Sequence, residues 1–339
     1  MKTQSAHMKA VFVFEFREVT LPDTPPPGQV LLRVDACGVC GSDLTAAHSA
    51  EQWKPFGHEV AGTILRLGAG VEHLAEQQRI VLESGTFCGR CDLCRNGRVD
   101  LCNKGPHFWK EPAMGFSQYM LAPAAACVPY ANLDPAIACL AEPGGVAYDM
   151  VKVADVRLGD RVCLIGPGPI GLMAAALARS SGAVRVAVVG HSHSTARLAL
   201  ARQLGCEPIT QDGSLADRKD LHRQFDHVLL TAPCRHIPDA LALLAYEGKL
   251  TYIGIGTGPG TISFDANDFH FRKLQLRSSF ASPATYLPRV LALLQSGILP
   301  GEALVSHRLP LDRIADAMNI AQNDKTSALK VVVTPPANG

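Results

Sequence analysis

The sequence predicts a mixed α/β protein of two units: a β-rich unit, then a doubly wound parallel sheet covered by helices on both faces. Three observations predict it. Short alternating or apolar runs cut by Gly and Pro fill the chain from Val11 to about Pro129. Strand and helix patterns alternate from Arg161 onward, as parallel sheets with crossover helices require. A Gly-x-Gly-x-x-Gly turn, Gly166–Gly171, lies between one such strand and the helix after it. The length of 339 residues is enough for two ordinary domains with a large core.

Each element follows from local pattern. Pro22, Pro25, Pro26 and Pro27 mark a long exposed turn, and Val30–Val34, Glu59–Ile64 and Arg79–Leu82 read as strands of the β-rich unit. Near residue 135 the rhythm changes, and Ala136–Val153 reads as one helix despite Pro143 and Gly144-Gly145. Strands are expected at Arg161–Ile165, Val184–Val189, Asp226–Leu230, Lys249–Ile255 and Leu274–Phe280, with helices at Gly171–Ser180, Ser194–Leu204 and Ile237–Ala245. Beyond Pro283 the pattern gives helices at Tyr286–Ser296 and Leu311–Gln322 and a strand at Leu329–Val333. Met8-Lys9-Ala10 resembles a second start, which would make the first seven residues an extension without structural role.

Composition narrows the function classes. Apolar residues make up 47% and charged residues 19%, with 32 basic against 31 acidic side chains and a net charge of +1. No basic run or basic-aromatic stripe is present, which argues against a nucleic-acid partner. No apolar stretch approaches the ~18 residues of a membrane span, and no signal-peptide core is found near the start. Eleven cysteines without a secretory signal point to a reducing cytoplasm, with thiols free or metal-bound.

Cys88, Cys91, Cys94 and Cys102 are spaced C-x2-C-x2-C-x7-C. Tetrahedral zinc needs four soft ligands about 3.5 to 4 Å apart, and a short loop of cysteines supplies them. Gly89, Asn96 and Gly97 let the loop bend between ligands. No open coordination position is evident, so the site reads as closed and structural; a disulfide pair or scattered buried thiols is the plainer alternative.

The glycine turn has the context that gives it meaning. Gly166 makes the tight turn, Gly168 lets the backbone approach a pyrophosphate, and Gly171 lets helix and strand pack closely. Pro169 and Ile170 open the helix whose free N–H groups would face the phosphates. A carboxylate at the end of the second strand usually binds the ribose 2′-hydroxyl of NAD. Here that stretch is Val188-Val-Gly-His-Ser-His-Ser194, with no acid. His191, Ser192 and His193 offer room and donors, and Arg197 lies one helical turn on, which favours NADP(H) over NAD; a plain solvent-facing turn is the alternative.

Cys40 in Asp35-Ala-Cys-Gly-Val-Cys-Gly-Ser-Asp43, His58 and Glu59 in Phe56-Gly-His-Glu-Val60, and Glu142 in Leu140-Ala-Glu-Pro143 form a second candidate ligand set. Three protein ligands and an open position are the pattern of a catalytic zinc. With these landmarks, the chain resembles the zinc-dependent medium-chain dehydrogenase/reductase family over nearly its full length, and within it the sorbitol and threonine dehydrogenase branch. Cys40-Gly-Ser-Asp43, Glu142-Pro143, standing where ethanol-type enzymes carry a cysteine ligand, and Phe271–Phe280 carry the branch resemblance.

The resemblance implies a GroES-like catalytic domain over 1–148 with the zinc lobe, completed by 284–339, and a Rossmann cofactor domain over 149–283. It implies that Cys40 and His58 bind catalytic zinc, that Glu59 is a ligand or swings into the shell, and that Glu142 coordinates directly or through water. Asp43 would accept from the His58 ring, Ser42 would begin the proton relay, and Cys37 would be no ligand. Ala232 (within Thr231–Pro233), Ile255 (within Ile253–Gly256) and Phe280 (within Ser279–Ala281) would line the nicotinamide side. The expected activity is hydride transfer between a secondary alcohol (a polyol, sugar derivative or amino alcohol) and NADP or NAD, in a cytoplasmic homodimer or homotetramer joined through the edge strand Leu274–Phe280. The competing readings are a zinc-independent enone or quinone reductase of the same superfamily, which would lack the Cys40/His58 pair, and a non-catalytic NADP(H)-binding protein. Three departures from the family pattern stand near the site: only 14 steps separate Asp43 from Gly57, Thr45 replaces a common histidine with His48 three residues on, and Gln77-Gln-Arg-Ile80 replaces Gly-Asp-Arg-Val.

Overall fold

A computed structural model describes residues 1–9, 12–253 and 260–335. Two large sheets carry the molecule. The first is seven-stranded and mixed, in the order Val305–Pro310, Lys330–Thr334, Gln29–Gly38, Glu59–Leu67, Arg79–Leu82, Cys127–Pro129, with Tyr119–Pro123 pairing off Gln29–Gly38. Its strands come from both ends of the chain. The second is six-stranded and parallel, in the order Glu207–Thr210, Arg185–Gly190, Arg161–Ile165, Phe225–Leu230, Leu244–Tyr252, Gln275–Ser278. Strand order reverses beside Arg161–Ile165, the switch point where α/β sheets bind ligands.

The two sheets share a core through the helix Ala141–Ala154. One cluster joins Ala36, Ala61 and Val332 of the first sheet to Val162, Leu164 and Leu229 of the second, with Ala147 and Met150 of this helix between them. The helix follows a short one, Pro135–Ala138, capped by the Asp134 side chain on the Ala136 N–H at 2.8 Å. The single helix expected over Ala136–Val153 is thus broken at Cys139–Leu140, and Pro143 falls in a first turn, where its missing N–H costs nothing.

Four further expectations change. The first seven residues are no idle extension: Lys2–Lys9 forms a strand paired with Val13–Thr20, and Thr3, Ser5, Ala6, His7 and Met8 are buried. Glu207–Thr210 is a strand the sequence reading did not include. It carries Pro208, which an edge strand tolerates because one side of its ladder is empty. The helix at Ile237 ends by Leu241, and the next strand begins at Leu244 rather than Lys249. The β-rich region also holds a helix, Gly41–Ser49, which carries Ser42 and Asp43. Among the described residues no helix is long and apolar enough to cross a membrane.

Candidate active site and metal centres

Cys40 is the N-cap of helix Gly41–Ser49. Its Sγ accepts from the Ser42 N–H at 3.5 Å, and the Asp43 carboxylate returns to accept from the Cys40 N–H at 3.0 Å. This capping box points the Cys40 sulfur and the Ser42 hydroxyl toward one place; Ser42 Oγ lies 3.2 Å from Cys40 Sγ and 3.5 Å from His58 Nε2. His58 enters on the Gly57 turn. Gly57 has φ +92°, and a Cβ there would stand 2.7 Å from the Phe116 ring, so only glycine sets this approach. Asp43 Oδ1 lies 3.4 Å from His58 Nδ1, at an angle that makes no hydrogen bond, and directs Nε2 to the cluster.

Ligand atoms of Cys40, His58 and Glu59 lie within 4.8 Å of one another. Burial works against a charged His58, but the Asp43 carboxylate and Cys40 outweigh it and hold its pKa well above the ordinary value. A thiolate, an imidazole and a carboxylate form a donor set that zinc accepts, with a fourth position left for an exchangeable ligand. Glu142 stands outside this group. It is half-buried at the start of helix Ala141–Ala154, where Ser84 Oγ donates to its Oε1 at 2.7 Å, yet it is near enough to add to the burial that raises the pKa of Glu59 against the pull of Lys330.

Two neighbours were not anticipated. Trp109 lays its ring 5.1 Å from the His58 ring, while its Nε1 donates to the Ser84 carbonyl at 2.6 Å. Lys330, wholly enclosed, donates to Glu59 Oε1 at 2.6 Å and to the Val39 carbonyl at 2.9 Å. A lysine inside the apolar run Ala328–Val333 was the available signal, because a charge in a buried strand needs a partner. Burial opposes its charge, but Glu59 more than offsets this and holds its pKa up at about 12. The lysine's contribution is therefore present below its ordinary value of about 10.5 and is lost as pH rises through about 12, while at the acid end the ion pair is lost where Glu59, its pKa raised by burial, takes up a proton. Lys330→Met should cost about 3–5 kcal/mol in denaturant unfolding by leaving the Glu59 carboxylate buried and unpaired, with a smaller loss in zinc-loaded protein. Unchanged stability in zinc-depleted protein would refute it. Thr45 Oγ1 bonds back to the Gly41 carbonyl at 3.1 Å, and the His48 ring sits edge-on to Phe12 at 5.1 Å, so both point away from the cluster.

The four-cysteine loop closes on itself. Sulfur–sulfur distances are 3.5 Å for Cys91–Cys94, 3.9 Å for Cys91–Cys102 and 4.0 Å for Cys88–Cys94. These are far from a disulfide and match the ~3.8 Å edge of a tetrahedron with zinc–sulfur bonds of about 2.3 Å. Backbone N–H groups of Arg90 and Cys91 draw the Cys88 thiol down to about 6, while burial and the neighbouring sulfurs push Cys94 up to about 12.

A cleft of about 510 Å³ runs from Cys40 and Glu59 to the glycine turn and on to the end of the second strand of the parallel sheet. Gly166, Gly168, Pro169, Ile170 and Gly171 line it, as do His191, His193, Arg197 and Ala232. A Cβ on Gly171 would lie 2.2 Å from the Gly166 carbonyl, whereas nothing lies within 4 Å of one on Gly168, which leaves that approach open. Helix Pro169–Ser180 has no side-chain cap, so its first N–H groups face the cleft free. Ser192 is exposed outside this wall, its N–H donating to Asp212 at 2.9 Å. Phe280 is 70% exposed and outside the wall too: Ser279 turns inward to donate to Asp149 at 2.6 Å, which sends the next side chain out. Ile255 lies outside the described residues.

Comparison with known proteins gives one consistent result. Residues 26–132 match the model of the alcohol dehydrogenase GroES-like domain, and residues 169–296 match that of the zinc-binding dehydrogenase. The chain is 31% identical to a sorbitol dehydrogenase of Bacillus subtilis, over 98% of its own length and 99% of that protein. It is 29% identical to an L-arabinitol 4-dehydrogenase of Hypocrea jecorina, over 91% and 85% respectively. Among solved structures, a chain described as a zinc-binding dehydrogenase from Sinorhizobium meliloti 1021, bound to NADP, superposes with a TM-score of 0.88 at 25% identity, covering 99% of this chain and 100% of that one.

Proposed function

Because the chain belongs to the zinc-dependent medium-chain alcohol dehydrogenase family, with a sorbitol dehydrogenase among its full-length relatives, we propose that it oxidises a polyol or sugar-derived secondary alcohol with NAD(P). The observation that carries this reading is a single cleft with the Cys40/Glu59 end of the ligand cluster at one side and the Gly166–Gly171 turn at the other. Cys40 Sγ, His58 Nε2 and a Glu59 oxygen would hold the catalytic zinc, with Glu142 reaching it through water. Cys88, Cys91, Cys94 and Cys102 would hold a structural zinc.

Bound in the first site, zinc acts as a Lewis acid that lowers the pKa of a substrate hydroxyl. Ser42 is placed to accept that proton and, being exposed, to release it to solvent. Asp43 keeps the His58 ring oriented, and Trp109 covers its face. The free N–H groups opening helix Pro169–Ser180 bind the dinucleotide pyrophosphate, and Thr231 to Pro233 line the approach to the nicotinamide. In balance, the alcohol carbon gives a hydride to the oxidised nicotinamide and the hydroxyl gives one proton to water, leaving a ketone.

We take the catalytic domain as 1–148 with 284–339 and the cofactor domain as 149–283, a division supported by sheet membership. A cytoplasmic homodimer joined through the edge strand Gln275–Ser278, or a homotetramer built from it, completes the reading, supported by that open edge and by the absence of any disulfide among the described cysteines. The test is a screen of zinc-loaded protein against polyols, sugar acids and amino alcohols with both oxidised cofactors. Turnover should be found with vicinal-diol substrates; turnover confined to the reduction of enones or quinones would overturn the assignment.

A further inference from the structure

We propose that a hollow on the outer face of the seven-stranded sheet, between Arg33 and Arg79, is a second ligand site that takes a small monocarboxylate. It shares no lining residue with the catalytic cleft. Two of the strands that floor it, Gln29–Gly38 and Glu59–Leu67, run on to Cys40 and from His58 at their other ends.

The hollow holds about 460 Å³, within the size range of small-molecule sites. Strand register builds its floor. Tyr119, Arg33, Thr63 and Arg79 stand opposite one another on four neighbouring strands and form one row across the sheet. Leu32, Ile64 and Ile80, one step along their strands, point into the core on the other side, so alternation turns the row outward. Pro135, which opens helix Pro135–Ala138, and Pro335, just past strand Lys330–Thr334, wall the hollow.

Charge matching then selects the ligand. Asp35 is the one carboxylate that lines the hollow, and its neighbours already use it: Arg33 Nε donates to Oδ1 at 2.7 Å and Thr63 Oγ1 donates to Oδ2 at 2.5 Å. Asp134, beside Pro135, is held through both oxygens by Arg308 at 3.0 Å. Arg79 is fixed but not neutralised. Its Nη2 donates to the Leu133 carbonyl at 2.5 Å and its guanidinium lies 4.6 Å over the Tyr130 ring. Among the described residues it makes no ion pair. The buried Tyr130 hydroxyl beside it also has no partner among them. One positive charge is left over. A monocarboxylate balances it, and its two oxygens match the guanidinium fork. A phosphomonoester of about −1.5 to −2 charge would leave excess negative charge beside Asp35. Tyr119 and the two prolines offer apolar surface to the rest of the molecule.

The test is calorimetric titration of the zinc-loaded protein, saturated with dinucleotide to fill the catalytic cleft, with benzoate and its neutral isostere benzamide. Wild type should bind benzoate over benzamide by at least about tenfold, as one charge-assisted hydrogen bond implies. Arg79→Gln should weaken benzoate by about tenfold or more and leave benzamide within about twofold. Asp35→Asn raises the charge of the hollow by one and should tighten benzoate by about threefold, a gain that misfolding cannot imitate. Should Arg79→Gln fail to fold, the Asp35→Asn result decides. Benzoate held no better than benzamide, or an affinity that Asp35→Asn leaves unchanged, would overturn the site. So would binding that Cys40→Ser removes and Arg79→Gln does not, since that places the carboxylate at the catalytic centre.

Discussion

Replacing Cys40 by serine is expected to remove turnover, by about 10³-fold or more in kcat, while the dissociation constant for the dinucleotide stays within a few-fold. The size follows from the several kcal/mol of charge stabilisation a Lewis acid supplies, at about 1.4 kcal/mol per tenfold in rate. The substitution isolates one role. Cys40 caps helix Gly41–Ser49, and serine is a better cap than cysteine, so the helix that carries Ser42 and Asp43 should persist. A serine hydroxyl stays protonated where the thiol becomes a thiolate, so the anionic soft donor is lost and with it the metal. Zinc analysis should fall by one equivalent per chain. Retained turnover with full zinc content would show that Cys40 is no ligand.

Replacing Cys94 by serine is expected to open the lobe from Cys88 to Cys102 without unfolding the rest. Of the fifteen residues in this lobe only Cys102 is buried, and neither Asp92–Arg95 nor Val99–Leu101 buries any side chain. Leu93 and Leu101 are exposed, so there is no apolar core to hold the loop in place. Structural zinc contributes about 10 kcal/mol or more in small zinc-dependent folds, and here little else opposes the entropy of an open loop. Limited trypsin digestion should then cut at Arg90, Arg95 and Arg98, and zinc content should fall by one while the cofactor still binds. Chelation of the wild type should reproduce the pattern. A lobe that stays protected and keeps its zinc after the substitution would count against the assignment.

These two centres differ in how much of them local sequence carries. The lobe ligands lie within fifteen residues, and their spacing alone defines a tetrahedron, so Cys88, Cys91, Cys94 and Cys102 were legible. The glycine turn was legible for the same reason: strand, turn and helix are contiguous over Arg161–Ser180. The N-terminal strand was not. Lys2–Lys9 buries Thr3, Ser5 and His7, polar residues that read as exposed. Two of them find partners, one far along the chain and one in the strand's own backbone: Thr3 Oγ1 accepts from Tyr119 N–H at 3.0 Å, and His7 Nδ1 lies 3.2 Å from the Ser5 carbonyl, whereas the buried Ser5 hydroxyl has no partner among the described residues. Phe280 was misplaced because alternation at a strand end depends on where the strand stops, and it stops at Ser278.

What the residues determine by themselves is chemistry held at short range: four thiols on one loop, a phosphate-cradling turn, and the Cys40-Gly-Ser-Asp43 and Gly57-His-Glu59 segments that carry the ligands. Which of these meet, and in whose company, is set by packing across hundreds of positions. Lys330 reaches Glu59 over a separation of 271 residues, and Thr326 and Thr195 join over 131. No period or spacing in a linear pattern encodes such contacts. They arise when strands from both ends of the chain close one sheet and a shared helix core sets that sheet against the other. Partnered charges and the covering Trp109 are therefore properties of the folded chain, while the ligand types are properties of its sequence.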